Sequence, residues 1–490
     1  MPRDDPTRFG VMQLAAAYRS GALDPVNVTE AYLERIEAGP IYRVVCRARA
    51  RAQARAAAQR FEAGIPAGPL DGVPIAIKDL VDTEGEVTGA CSPPLMDRPP
   101  ALVDAPVADR LDAAGAVFLG KTTMTELAFS GLGINPHVGT PPNAIDATRV
   151  PGGSSSGSAV AVATHLAAAA IGSDTGGSVR IPAAFNGLVG LKTSDGWIPT
   201  AGVAALSITL DTLGPIARDV DDAWALVQAM AGEPPRPLPT PPPRWRLWAP
   251  PTVLWEELDG GVAAACESAV AALEGAGHRV DRQPSNELAS LDGLFTRFGS
   301  FAAFEALSLY GELIARCGER MDPRVVRRIL AVRERPASDY RRLVAERERL
   351  RAAFWQAAAP YQAVISPTVR VPPPPLAPLL AAVGAAAGGD RNGSGDRLAD
   401  GDRTGSGEGV AGDRAASGDG ADSAYVQANA AVLRASTLFN LLGGPAVTVP
   451  IGGDADGLPV GLSFATQPAA DDLALALARQ AQRTIAARSR

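Results

Sequence analysis

Short apolar runs alternate with helix-patterned segments along this chain, and the connections between them are brief. VPIAIKDL reads as a buried strand between two turns, and DAPVADRLDAAGAVFLGKTTM reads as helix, strand and loop. That alternation points to an α/β fold in which helices cover a sheet. The first 60 residues read as helices: VMQLAAAYRSGAL, then VNVTEAYLERIEAG with Asn27 or Thr29 as cap, then an Arg/Ala helix from about Arg47 to Phe61. SGSAVAVATHLAAAAIGSD reads as a single helix. RLWAPPTVL and YQAVISPTV read as strands, EPPRPLPTPPPRW as a surface connection, about Gly261 to Gly277 as a helix, and about Leu291 to Pro360 as arginine-rich helix. Residues 384–424 are Gly, Asp, Arg, Ser and Ala with a recurring GDR; too little apolar surface is available to order them, so a disordered insertion is expected. Folded pattern returns at TLFNLLGGPAVTVPIG.

Composition removes several function classes. With 46% hydrophobic and 20% charged residues, the chain is an ordinary globular one. A net charge of -7 offers no attraction for nucleic acid or an anionic membrane. No segment supplies the ~18 consecutive apolar residues of a membrane span, and the N-terminus MPRDDPTRFG lacks the apolar run of a secretory signal. Cys46, Cys91, Cys266 and Cys317 are scattered, with no CxxC and no Cys/His cluster, so neither a zinc site nor a disulfide framework is expected, and a reducing cytoplasm fits.

Two Gly/Ser-rich turns, PGGSSSGS at 151–158 and DTGGS at 174–178, can present backbone N–H groups to a phosphate or to a developing oxyanion. Such residues also simply build turns and caps. Neither turn matches GxxxxGK[ST] or GxGxxG, which argues against nucleotide binding. Gly153–Gly157 satisfies GxSxG, yet NAIDATRVP before it is no buried strand, and only His278 lies well downstream. The chain holds three histidines and three lysines (Lys78, Lys121 and Lys192) against 43 arginines. Arginine stays protonated, so the choice of general base is narrow. Lys78 follows VPIAI; burial there would disfavour its charge and lower its pKa, as in Ser–Lys variants of the catalytic triad. The alternatives for Lys78 are an exposed head group or a pair with Asp79.

DGVPIAIKD, VPGGSSSGSA and GSDTGGSVRIPA together resemble the amidase signature family. GAVFLGKTTMTELAFSG, GLVGLKTS, LDTLGPIARDVDDA, AVISPT, NLLGGPAVTVPIG and GLPVGLSF resemble further family segments in the same order, and the likeness weakens between about 235 and 350. The resemblance implies a large α/β/α unit with a mixed central β-sheet flanked by helices. It implies one amidase domain over 1–490: N-terminal helices to 60, a signature core over 61–230, a helical cover over 235–375, the 384–424 insertion, and a return to the core over 425–490.

The same resemblance implies a Ser-cis-Ser-Lys triad: Ser178 as nucleophile, Ser154 on a cis peptide bond as bridge, Lys78 as base. Backbone N–H groups of Thr175, Gly176, Gly177 and Ser178 would form the oxyanion hole. Asp174 and Arg180 would brace the loop, and Ser155 would add a hydrogen bond. The segment 131–139 would line the substrate pocket, making Asn135 and His137 binding candidates. Ser156 stands where glycine is common, GLKTSDGW departs from the usual motif, and Trp197 is expected to pack structurally. Lys121 and Lys192 are expected to be structural. The implied activity is hydrolysis of a small amide to a carboxylic acid and ammonia or an amine, with no metal or organic cofactor. The implied partner is the small-molecule amide, with no nucleic acid and no membrane; a homodimer stays open. Within the family the alternative is the glutaminase component of a tRNA-dependent amidotransferase, and outside it a catalytically silent scaffold.

Overall fold

The computed structural model describes residues 5–380 and 420–488. Among the described residues, eleven strands form one mixed sheet. They are β1 (Tyr42–Val45), β2 (Pro74–Lys78), β3 (Val117–Thr122), β4 (Ala169–Asp174), β5 (Val189–Lys192), β6 (Thr212–Ala217), β7 (Arg246–Trp248), β8 (Arg279–Asp281), β9 (Ala363–Pro367), β10 (Ala446–Gly453) and β11 (Pro459–Ala465). Their spatial order is β1-β3-β2-β4-β6-β5-β10-β11-β9-β7-β8. β2 runs parallel to β3 and β4, β6 runs antiparallel to β4 and β5, and β10 runs antiparallel to β5 and β11. With helices packed on the sheet, this is the α/β arrangement expected of the sequence. Among the described residues no helix is long and apolar enough to cross a membrane.

Every residue of β2, β3 and β4 is buried. Parallel strands covered on both faces are continuously apolar rather than alternating, which is why VPIAI and VFL read as short unbroken runs. The helices Arg47–Glu62 and Ser156–Ala163 pack against this part of the sheet. Because β2 and β4 are parallel neighbours, their C-terminal ends reach the same edge. That edge is where open α/β sheets commonly place ligands. Lys78 is the last residue of β2 and Asp174 the last of β4.

Four readings of the sequence need correction. The first 60 residues are not helical throughout: Tyr42–Val45 forms β1, paired antiparallel with β3. The segment 156–174 is not one helix: the helix stops at Ala163, His165 takes a positive φ of 59°, and Ala169–Asp174 becomes β4. A short alanine-rich run carries no period that separates a buried helix from a buried strand. The second helix is Pro25–Leu33, capped by Asp24 rather than Asn27 or Thr29; the Asp24 carboxylate accepts the Asn27 N–H at 3.0 Å. The helix Gly420–Leu442 takes in the last residues of the segment expected to be disordered, while 384–419 lie outside the described residues. Tyr425, buried near the start of that helix, donates its hydroxyl to Ser130 Oγ at 2.8 Å and ties it to the core.

Gly214 in β6 sits where a Cβ would overlap the carbonyl oxygen of Leu191 in β5. Gly214→Ala is therefore expected to cost about 3 kcal/mol of stability, measurable as a lower urea midpoint.

Candidate active site

Lys78 has no exposed surface. Its Nζ lies 2.7 Å from Ser154 Oγ and 2.8 Å from Ser173 Oγ. Burial pushes its ammonium down from 10.5 to about 7, against the opposing pull of Asp211, Asp174 and the Cys91 thiol. It neither reaches solvent nor pairs with Asp79. Asp79 is instead held by Arg43 Nε and Nη2 at 2.5 and 2.7 Å, with Lys121 Nζ at 3.5 Å. The other two lysines are also buried and bonded locally. Lys121 donates to Thr88 Oγ1 at 2.8 Å and Val87 O at 3.1 Å, and Lys192 donates to Thr193 O at 2.8 Å and Gly444 O at 3.0 Å.

The bond between Gly153 and Ser154 is cis. The Ser155 N–H donates to Ser178 O at 3.2 Å, so the two Gly/Ser-rich turns lie against each other. The Ser155 hydroxyl bridges the backbone of Ser173, accepting its N–H and donating to its carbonyl, each at 3.3 Å. Ser156 opens the next helix with its hydroxyl buried and unbonded.

The turn 174–178 is organised by a buried carboxylate. Asp174 accepts the N–H groups of Gly177, Val179 and Arg180 at 2.8, 3.2 and 3.4 Å. Arg180 grips it through Nε and Nη2 at 3.0 and 2.9 Å, and neither side chain is exposed. Burial alone would raise the Asp174 pKa; Arg180 and the Asn440 amide outweigh it and hold the carboxyl far below its usual range. The helix Gly420–Leu442 closes the ring. Asn440 Nδ2 donates to the Asp174 carboxylate at 2.8 Å, Arg180 Nη2 donates to Asn440 Oδ1 at 2.7 Å, and the Ser436 and Thr437 hydroxyls donate to Gly176 O at 2.6 and 3.2 Å. The peptide between Gly176 and Gly177 is thus clamped at its carbonyl by two hydroxyls and at its N–H by Asp174. Gly177 has a φ of 122°, and a Cβ there would strike Ser436 and Ile181.

Ser178, Thr175 and Gly176 line a cavity of about 270 Å³. Its walls are largely apolar: Phe129 and Leu210 from the core side, Leu291 and Phe295 from the segment over 235–375, and Leu433 and Leu438 from the Gly420–Leu442 helix. Arg328 and the Arg434–Asp292 pair supply charge at its margin. Thr175 donates its hydroxyl to Asp211 at 2.5 Å; burial raises the Asp211 carboxyl to about 6.

The structure brings Lys78, Ser154, Ser155, Asp174, Arg180 and the turn 175–178 together. It does not bring Asn135 and His137 to them. Asn135 spends its amide on Cys91 O and Met124 O at 3.0 and 2.9 Å, and its Oδ1 on the N–H groups of His137 and Val138. His137 Nε2 sits 3.3 Å from the Glu126 carboxylate. Both brace the loop. Trp197 packs against the core and donates to Glu233 at 2.9 Å. Ser173, Asp211, Ser436, Thr437 and Asn440 carry no role in the sequence reading. Ser173, Asp211 and Asn440 do fall inside its family-like segments GSDTGGSVRIPA, LDTLGPIARDVDDA and NLLGGPAVTVPIG.

A model of the Amidase family matches residues 27–382. A 2-amino-5-chloromuconic acid deaminase of Comamonas testosteroni is 33% identical over 430 residues, covering 86% of this chain and 84% of that protein. A glutamyl-tRNA(Gln) amidotransferase subunit of Symbiobacterium thermophilum is 35% identical over 399 residues, covering 73% and 81%. A solved structure described as an amidase superposes with a TM-score of 0.79 at 31% identity, covering 98% of this chain and 100% of that one.

Removing one member of a buried ion pair leaves the other charge uncompensated. Asp174→Asn, which keeps the shape but not the charge opposite Arg180, is expected to cost about 3–5 kcal/mol in urea unfolding.

Proposed function

The chain belongs to the amidase signature family of carbon–nitrogen hydrolases, and on that footing we propose that it hydrolyses a small linear amide through an acyl-enzyme on Ser178. The observation that carries this reading is the buried Lys78 amine, 2.7 Å from Ser154 Oγ and shifted to about 7, with the next residue, Ser155, bonded to Ser178, which lines the cavity. At neutral pH about half of such an amine is unprotonated and can act as a base.

The Ser178 oxygen attacks the amide carbonyl while its proton passes to Ser154, and the Ser154 proton passes to Lys78. The carbonyl oxygen gains the negative charge. Backbone N–H groups of Thr175, Gly176 and Ser178 are the donors we assign to it; the Gly177 N–H is already given to Asp174. Collapse of the tetrahedral adduct breaks the carbon–nitrogen bond, and Ser154 returns a proton to the departing nitrogen as Lys78 restores its own. Water then attacks the ester by the same proton route, releasing the acid and freeing Ser178. Asp174 and Arg180 hold the turn, and Ser155 holds the strand end that carries Ser173. Asn135 and His137 have no substrate contact in this scheme.

We read the chain as one catalytic unit with the 235–375 helices as its cover, acting in the cytoplasm, where its four free thiols would stay reduced. The amidotransferase relative supports a second reading, a glutaminase that feeds ammonia to a partner. The apolar walls of the cavity support an independent amidase, while Arg328, Arg434 and Asp292 in the same lining are the groups an ionised glutamine head would use.

The test is ammonia release by the purified chain across aliphatic, aryl and glutamine amides, with 2-amino-5-chloromuconic acid included because of the deaminase relative. Turnover of a simple amide without partner or tRNA is expected; turnover of glutamine alone, and only with a partner, would overturn the first reading. Ser178→Ala and Lys78→Ala are each expected to lower kcat on the order of 10⁴-fold. Because the base works unprotonated, kcat/KM should climb with pH and level off above about 7, falling tenfold per unit below it. A profile flat from pH 5 to pH 8, over which the unprotonated fraction of Lys78 rises roughly ninetyfold, would sink the assignment of the base.

A further inference from the structure

We propose that Ser173 is a positioning residue for the base: its hydroxyl oxygen fixes the rotation of the Lys78 amine so that the lone pair faces Ser154. The inference rests on the reading of Lys78 as base. A neutral amine has two N–H donors and one lone pair, whereas an ammonium has three donors and no acceptor. Lys78 Nζ has two oxygen partners, Ser154 at 2.7 Å and Ser173 at 2.8 Å, and all three side chains are buried. Proton withdrawal from Ser154 requires the lone pair to point at Ser154 Oγ. Rotation about the Cε–Nζ bond is otherwise free, and one N–H donated to Ser173 Oγ removes that freedom.

Ser173 is well held for this task. It lies in β4, paired with Leu213 of β6. The Ser155 hydroxyl bonds both its N–H and its carbonyl. Ser155 follows Ser154 directly, so one brace fixes both oxygens that the amine sees. Through the reaction Ser173 exchanges no proton. It accepts an N–H from the neutral amine, and again from the ammonium after Lys78 has taken the Ser154 proton.

The titratable groups bearing on Nζ are Asp211 in the segment before β6, Asp174 at the end of β4, and the Cys91 thiol; all three favour the ammonium. The Ser173 oxygen adds a direct acceptor, and a hydrogen bond to a charged donor is stronger than one to a neutral donor. Removing it therefore lowers the pKa of Lys78 and also releases the amine's rotation.

The experiment uses the full chain and a fluorophosphonate probe, which forms a Ser178 Oγ–P bond with loss of fluoride while the hydroxyl proton passes to the base. Its rate reads the base without a known substrate. Rates are followed from pH 5 to 10 for the wild type, Ser173→Ala, Ser173→Thr and Lys78→Ala. Melting midpoints and the labelled fraction at completion report folding. Ser173→Ala is expected to lower the plateau rate about tenfold and move the midpoint down by ~0.5 pH unit or more, and Ser173→Thr is expected to restore both to within about twofold. A wild-type rate and midpoint in Ser173→Ala would overturn the proposal while leaving the triad intact. A slower rate with an unmoved midpoint would also overturn it, since that marks a merely structural residue. Unchanged labelling in Lys78→Ala would instead overturn the reading of the base, and the proposal with it.

Discussion

The burial of one amine governs the rest of the site. Lys78 closes a strand whose five residues are all buried, so its head group is shielded from bulk solvent. Charge on such a group is disfavoured, and here the carboxylates of Asp174 and Asp211 offset only part of that penalty. The balance leaves the amine near neutrality in both senses: close to pH 7, and ready to trade a proton with Ser154. A stronger ion pair would have fixed the ammonium. Asp79, next in sequence, would have done so, yet Arg43 and Lys121 engage it on the other side of the strand end.

A second constraint acts over long sequence distance. Asp174 and Arg180 make a fully buried pair, which is weak evidence of stability because desolvation opposes the attraction. What the pair does is geometric. It collects three backbone N–H groups of the turn and, through Asn440, Ser436 and Thr437, binds that turn to a helix about 260 residues away. The helix Gly420–Leu442 is therefore part of the same site as β2 and β4, although the family model ends at residue 382.

Much of this was legible in the residues. The alternation of apolar runs and helical patterns carried the α/β class, and three spaced motifs carried the family and the residues that the structure gathers. The misses have physical reasons. Ala169–Asp174 is small and apolar throughout, so no period marked it as a strand. Asp24 followed by proline at the first helical position is a start signal that the later Asn27 obscured. Asn135 and His137 sit on the right loop, but only coordinates show their side chains turned to the loop's own backbone and to Glu126. Ser173 could not be singled out, because strand direction and the brace from Ser155 decide which of many serines meets the lysine. Ser436 and Thr437 lie on the far side of a long segment from the turn they hold, and nothing local marks their target.

The scarcity of lysine makes the central claim directly measurable. With three lysines in 490 residues, the chain labelled with ¹³Cε-lysine gives three signals to follow against pH. The signal lost in Lys78→Met belongs to Lys78. A midpoint near 7 is expected for that signal. A midpoint at or above the ordinary value of ~10.4 would contradict the assignment of a neutral base at physiological pH.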